Sequence, residues 1–145
     1  MPDQKRIKFE IATPERVVLK DEILQVTVPT TEGDITILPK HSPLVSILKP
    51  GVLELKKIDG SIEIISVSGG FVEVLLNKTI ILADTAERAD EIDLERAEEA
   101  RKRAEESLKN LRDIDATQFA NLSAQIEKEL ARTRSARKWR NLKGR

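Results

Sequence analysis

The sequence predicts an antiparallel β-sandwich of about ten strands followed by an antiparallel two-helix hairpin. Three observations predict it. Residues 1–85 break into short apolar runs, many of them alternating with polar residues, at roughly ten-residue spacing. Residues 93–112 contain neither Gly nor Pro, and residues 117–139 resume a helical pattern. Charge also divides the chain: residues 1–85 carry 10 basic and 12 acidic side chains, whereas residues 86–145 carry 15 and 13. The expected division is a β-sandwich domain over 1–88 and a helical hairpin domain over 89–145.

The first half reads as strand after strand. Ile7, Phe9 and Ile11 alternate with polar neighbours. Val17, Val18 and Leu19 form a run that should end in a turn at Lys20-Asp21. Ile23, Val26 and Val28 follow and stop at Pro29, before the turn Glu32-Gly33-Asp34. Ile35, Ile37 and Leu38 precede the break Pro39-Lys40-His41-Ser42-Pro43. Residues 44–48 are the next run, closed by Pro50-Gly51. Val52, Leu53 and Leu55 lead to Asp59-Gly60, the turn of a hairpin with Ile62, Ile64, Ile65 and Val67. After Gly69-Gly70 come Phe71, Val72, Val74 and Leu75, a turn at Asn77-Lys78, and a last strand over 79–83. Repeated short strands of this kind indicate a sandwich or barrel.

The second half reads as helix. Ala97, Ala104, Leu108 and Leu111 form a narrow stripe, with Asp90 placed to cap the start. Arg112-Asp113-Ile114-Asp115 breaks the pattern. Phe119, Leu122, Ile126 and Leu130 then mark one face of a second helix. A seam built on alanine buries little apolar area. The hairpin should therefore be weakly self-sufficient, needing a partner or ligand or moving between states.

Composition removes several functions. The formal net charge is zero with 25 basic and 25 acidic residues, which speaks against a general polyanion binder. There is no Cys, so disulfides and thiolate chemistry are excluded. His41 is the only histidine, which excludes multi-His metal sites and argues against a Ser-His-Asp triad. Three Phe, one Trp and no Tyr make a poor base-stacking platform. No signal peptide is visible, and no apolar run approaches the ~20 residues of a membrane span. A soluble intracellular protein is expected.

Four constellations invite a functional reading. The loop 32–45 carries the exposed acid Asp34 and His41; plain turn punctuation explains it as well. Gly69-Gly70 is better read as a bend at a strand edge than as a phosphate cradle, because no helix follows. Glu87, Asp93, Arg96 and Arg103 gather carboxylates and guanidiniums near one helix face, suited to a phosphate chain; ion pairs solvating the helix are the plainer reading. Arg132, Arg134, Arg137, Lys138 and Arg140 give the C-terminus a cationic tip, read first as a solvated end and next as a contact for an acidic protein.

Three segments carry a family resemblance. Residues 33–44, Gly-Asp-Ile-Thr-Ile-Leu-Pro-Lys-His-Ser-Pro-Leu, form one. The second pairs Gly69-Gly70-Phe71-Val72-Glu73-Val74 with Leu82-Ala83-Asp84-Thr85-Ala86. The third is Ile92-Asp93-Leu94-Glu95-Arg96-Ala97. In this order and spacing the chain resembles the epsilon subunit of the F-type ATP synthase over nearly its whole length. The resemblance implies a non-catalytic rotor subunit in the central stalk, between the gamma subunit and the c-ring. Its hairpin would either fold on the sandwich or extend toward the alpha and beta subunits and inhibit ATP hydrolysis. It implies no required cofactor and no metal, with ATP as a regulatory ligand of the folded state.

Carried over by position, the resemblance makes Asp34 the c-ring contact and His41 the gamma contact. Glu87, Asp93, Arg96, Arg103 and Arg134 match ATP-contact positions. A second helix-two arginine, four residues before Arg134, is replaced by Leu130, and about three extra residues lie around 116–121. Reduced or absent ATP affinity follows. Arg132, Arg134, Arg137, Lys138 and Arg140 become the inhibitory basic tail. The implied location is peripheral, on the cytoplasmic face of a bacterial inner membrane, or alternatively the stromal side of a thylakoid. The competing reading is an unrelated sandwich adaptor whose basic tail binds nucleic acid or anionic membrane.

Overall fold

The structure is a computed structural model that describes residues 6–110 and 115–144. Among these residues nine strands precede two helices, close to the ten expected. They are β1 (Ile7–Ala12), β2 (Val17–Thr30), β3 (Gly33–Ile37), β4 (Leu44–Leu48), β5 (Gly51–Lys57), β6 (Ile62–Val67), β7 (Gly70–Val74), β8 (Lys78–Ala83) and β9 (Ala86–Arg88). A 3₁₀ turn at Ala89–Glu91 leads into α1 (Leu94–Lys109) and then α2 (Ala116–Lys143). Neighbouring strands run β1-β8-β7-β4-β2-β5-β6-β9, with β3 on β2. β1 also pairs with β2, so the sheet closes on itself. All pairings are antiparallel except β1 with β8.

The long strand β2 departs from the sequence expectation. Lys20-Asp21 is no turn; the two residues sit in the ladder opposite Glu10 and Phe9. Neither is Gly or Pro, so the backbone meets no obstacle and their charged side chains simply face water. Nor does Pro29 end the strand. It pairs opposite Asp34, and its carbonyl accepts from Lys49 N at 3.1 Å. β2 thus reaches β1 with its first half and β3 and β5 with its second. β9 is a three-residue strand too short to leave a periodic signal.

The interior is apolar. Phe9, Ile11, Ile23, Val26, Leu53, Leu55, Ile65, Val72 and Ile81 are all almost wholly buried. Gly70 allows the close approach of β7 to β8. Its φ is +119°, and a Cβ there would lie 2.0 Å from the Leu82 carbonyl oxygen. The strand-edge reading of Gly69-Gly70 therefore has a steric cause.

The hairpin is packed differently. Asp93, rather than Asp90, caps α1, accepting from Arg96 N at 3.2 Å; Asp90 lies in the preceding 3₁₀ turn. Asp115 caps α2. Ala97 and Ala104 are buried as the stripe requires, Leu108 is half-buried, and Leu111 lies outside the described residues. The expected α2 face is only partly used. Phe119 is 47% exposed, and Leu122, Ile126 and Leu130 are half-buried. The buried residues of α2 are Glu129, Ala131, Thr133, Ser135 and Ala136, because that stretch packs on α1, β5 and β6. The apolar cluster beneath is small: Ile92, Ala97 and Ala136, with Leu94 against them.

Candidate interaction surfaces

Asp34 lies in β3 and His41 follows it. Asp34 is exposed near its start, beside the tight hairpin in which Thr30 Oγ1 donates to the Gly33 carbonyl. His41 follows its end. Leu38-Pro39-Lys40-His41 is a turn with His41 N donating to the Leu38 carbonyl at 3.1 Å and Lys40 at φ +64°. Proline at the second position and a positive φ at the third are the type II pattern. His41 is half-buried, and its Nδ1 is 2.7 Å from the Ser42 carbonyl. A carbonyl only accepts, so the proton sits on Nδ1. Asp34 lies within β3 and His41 beyond its end, and the cavity that Asp34 lines does not include His41.

A second surface was not singled out from sequence. Val45 (69% exposed), Ile47, Phe71 and Leu82 project from the outer side of β4, β7 and β8. Ile47 stands opposite Phe71, and Phe71 opposite Leu82, giving an apolar row across three strands. The signal was present. Residues 44–48 and 80–83 are apolar at nearly every position instead of alternating, the mark of strands covered on both faces. A contiguous exposed patch of this kind marks a protein contact.

The third surface joins hairpin to sandwich. Arg132 Nε donates to Glu87 Oε2 at 2.6 Å, and its Nη1 donates to Glu129 Oε2 at 2.9 Å. Glu129 is buried, and its side chain is only 8% exposed. Burial alone would lower the Arg132 pKa, but the two carboxylates outweigh it and raise it. Lys138 Nζ meets Glu54 of β5 at 2.5 Å, and Arg137 pairs with Glu98 of α1. Three of the five tail cations are thus engaged within the molecule. Arg140 is exposed on the last turns of α2.

The positions matched to ATP contacts are dispersed. Glu87 is held by Arg132 and lines a polar cavity of about 300 Å³ with Thr13, Arg16, Asp84 and Lys128. The Asp93 carboxylate is occupied as the α1 cap. Arg96 and Arg103 are exposed on α1. Arg134 lines a different cavity, with Asp34, Lys49 and Lys138. Sequence reasoning did not single out Glu54, Lys49 or Glu129, whose signals are long-range pairings rather than local spacing.

Comparison with known proteins fits this anatomy. Residues 6–89 match the family model "ATP synthase, Delta/Epsilon chain, beta-sandwich domain". The ATP synthase epsilon chain of Herpetosiphon aurantiacus is 45% identical over 134 residues, covering 90% of this chain and 98% of that one. That of Chloroflexus aggregans is 46% identical over 130 residues, covering 90% and 91%. A chain in a Euglena gracilis mitochondrial ATP synthase structure (OSCP/F1/c-ring) shares the fold, with a TM-score of 0.77 and 23% identity over 88% of this chain and 79% of that one. A chain of the Tetrahymena thermophila central stalk and c-ring does so at 0.62 and 18%, covering 90% and 96%. With relatives this similar over this much of its length, the chain belongs to the ATP synthase delta/epsilon family, among its epsilon chains.

Proposed function

We propose that this chain is a non-catalytic subunit of an F-type ATP synthase rotor, linking the gamma subunit to the c-ring, peripheral to the membrane. The row Ile47–Phe71–Leu82 carries the reading: a rigid, exposed apolar strip suited to burial against a partner. No helix among the described residues is long and apolar enough to cross a membrane. In this reading Asp34 meets the c-ring, while His41 and the apolar strip meet gamma. Co-purification with gamma and c subunits tests it; recovery of neither would overturn it.

The hairpin acts as a brake on ATP hydrolysis. In the docked state Arg132, Arg137 and Lys138 are spent on Glu87, Glu98 and Glu54. Released, these cations would serve against acidic faces of alpha and beta. The same engagement weakens the competing idea of a nucleic-acid tail. Cutting after Ala131 should raise hydrolysis by the assembled enzyme and leave assembly intact; unchanged hydrolysis would refute the brake. ATP is a weak regulatory ligand at most, because a nucleotide reaching Glu87 must compete with Arg132. Isothermal titration decides this, and no heat at millimolar ATP removes ATP from the scheme.

A further inference from the structure

A cavity of about 330 Å³ lies where α2 crosses the sandwich, between Pro29, Lys49 and Gly51 on one side and Arg134 and Lys138 on the other. Its sandwich wall is firmly built. Lys49 N donates to the Pro29 carbonyl at 3.1 Å, and a Cβ on Gly51 would come within 2.9 Å of Pro29 Cβ. Arg134 and Lys138 are one helical turn apart and share a face. Lys138 is fixed by Glu54, whereas Lys49 and Arg134 have no ion-pair partner among the described residues. Three exposed cations and one carboxylate, Asp34, line this open space, and with Lys138 shared with Glu54 the lining keeps a net positive charge that suits an anion.

The fourth charge sets the selectivity. Asp34 lines the same cavity, and an ionised carboxylate only accepts hydrogen bonds. It repels an oxyanion that has lost every proton. It bonds one that keeps a hydroxyl. Near neutral pH orthophosphate keeps such a proton; sulfate and phosphodiesters do not. We propose that this cavity is a site for inorganic phosphate, held by Lys49, Arg134 and Lys138 and selected by Asp34. Because Lys49 belongs to the sandwich and the other two cations to α2, bound phosphate ties the hairpin down, and its concentration shifts the docking equilibrium. The inference goes beyond the rotor reading and fails separately from it, since it is tested on the isolated chain, where Asp34 has no c-ring to meet. It also fails separately from ATP binding, needing Lys49 and Asp34 but not Arg96 or Arg103.

The test titrates the full chain with sodium phosphate and sodium sulfate near neutral pH at matched ionic strength, by calorimetry and by Trp139 emission. Trp139 is the only tryptophan and packs near Ile62 of β6, so it reports docking. Phosphate should saturate, with sulfate about tenfold weaker or worse. Lys49→Gln and Arg134→Gln should each weaken phosphate about tenfold, the loss of one charge-assisted contact. Asp34→Asn should abolish the discrimination, and Arg96→Gln should change nothing. Equal binding of the two anions, undiminished binding by Lys49→Gln, or loss in Arg96→Gln would overturn the assignment. So would Lys49-dependent sedimentation with phosphatidylglycerol vesicles, since the phosphate of that headgroup is a diester and keeps no P–OH for Asp34 to accept from.

Discussion

Replacing Arg132 by Met should release the hairpin, and the size of the effect follows from what the guanidinium leaves behind. Glu129 has a side chain only 8% exposed, and Arg132 is its cationic partner. Stranding a buried carboxylate costs about 3–5 kcal/mol, and the lower end applies here because undocking lets it rehydrate. Glu87, the other partner, is 38% exposed and recovers water readily. Losing its bond costs about 0.5–1 kcal/mol. The apolar cluster beneath α2 is mainly alanine and cannot absorb a loss of about 3 kcal/mol.

Amide hydrogen exchange across residues 129–137 and Trp139 emission are the assays. Arg132→Met should speed exchange there by roughly 100-fold, which is about 3 kcal/mol, while Glu87→Gln stays under about tenfold. The double variant Arg132→Met/Glu129→Met should return near the parent, because a buried pair replaced by apolar residues is often neutral. Equal effects of the two single variants, or a double variant no better than Arg132→Met, would refute the reasoning.

Gly70→Ala should cost on the order of 4 kcal/mol in urea melts, because its Cβ meets Leu82 backbone oxygen at 2.0 Å and β7 must part from β8. Gly60→Ala, also at positive φ but in open space, should cost only about 1 kcal/mol. Phe71→Glu should leave the melting midpoint within a few degrees, since the ring is exposed, and abolish co-purification with gamma; retained co-purification would move that contact elsewhere. Asp59 accepts from Ser61 Oγ at 2.6 Å and Ser61 N at 2.8 Å, which holds its carboxyl below the usual range. The small stabilisation is therefore present above the ordinary Asp pKa and lost as pH falls through the lowered one. Ser61→Ala should raise its NMR titration midpoint; no movement would exclude the hydroxyl as the cause.

Where a segment's own periodicity decided its structure, the sequence was readable. Ile7, Phe9 and Ile11 alternate and are buried; Asp59-Gly60 makes its hairpin; Ala97 and Ala104 face inward. Misreadings arose where a distant partner decided. Lys20-Asp21 stays in β2 because β1 pairs with it. The buried face of α2 is set by the sandwich below, not by its best apolar stripe, so Glu129 and Thr133 go inside while Phe119 stays in water. Among the site residues, Asp34, His41 and the family motifs were visible in the chain. Glu54, Lys49 and Glu129 acquire meaning only once α2 is laid across the sandwich.

The sandwich and the hairpin are held by different physics, and this bears on how the proposed brake would work. The sandwich rests on fully buried apolar side chains, each worth roughly 1.5–3 kcal/mol, and none of that core cluster belongs to the hairpin. The hairpin rests on alanines and on pairs such as Lys138–Glu54, whose side chains are 47% and 33% exposed. Exposed pairs contribute at most about 1 kcal/mol each and are screened by salt. Docking is thus a sum of small terms, which under the proposed brake a competing partner or anion would tip. A zero net charge serves this arrangement. Acids on β5 and β9 hold the cations of α2 at rest, and the same cations are available, unaltered, to any more acidic surface that outbids them.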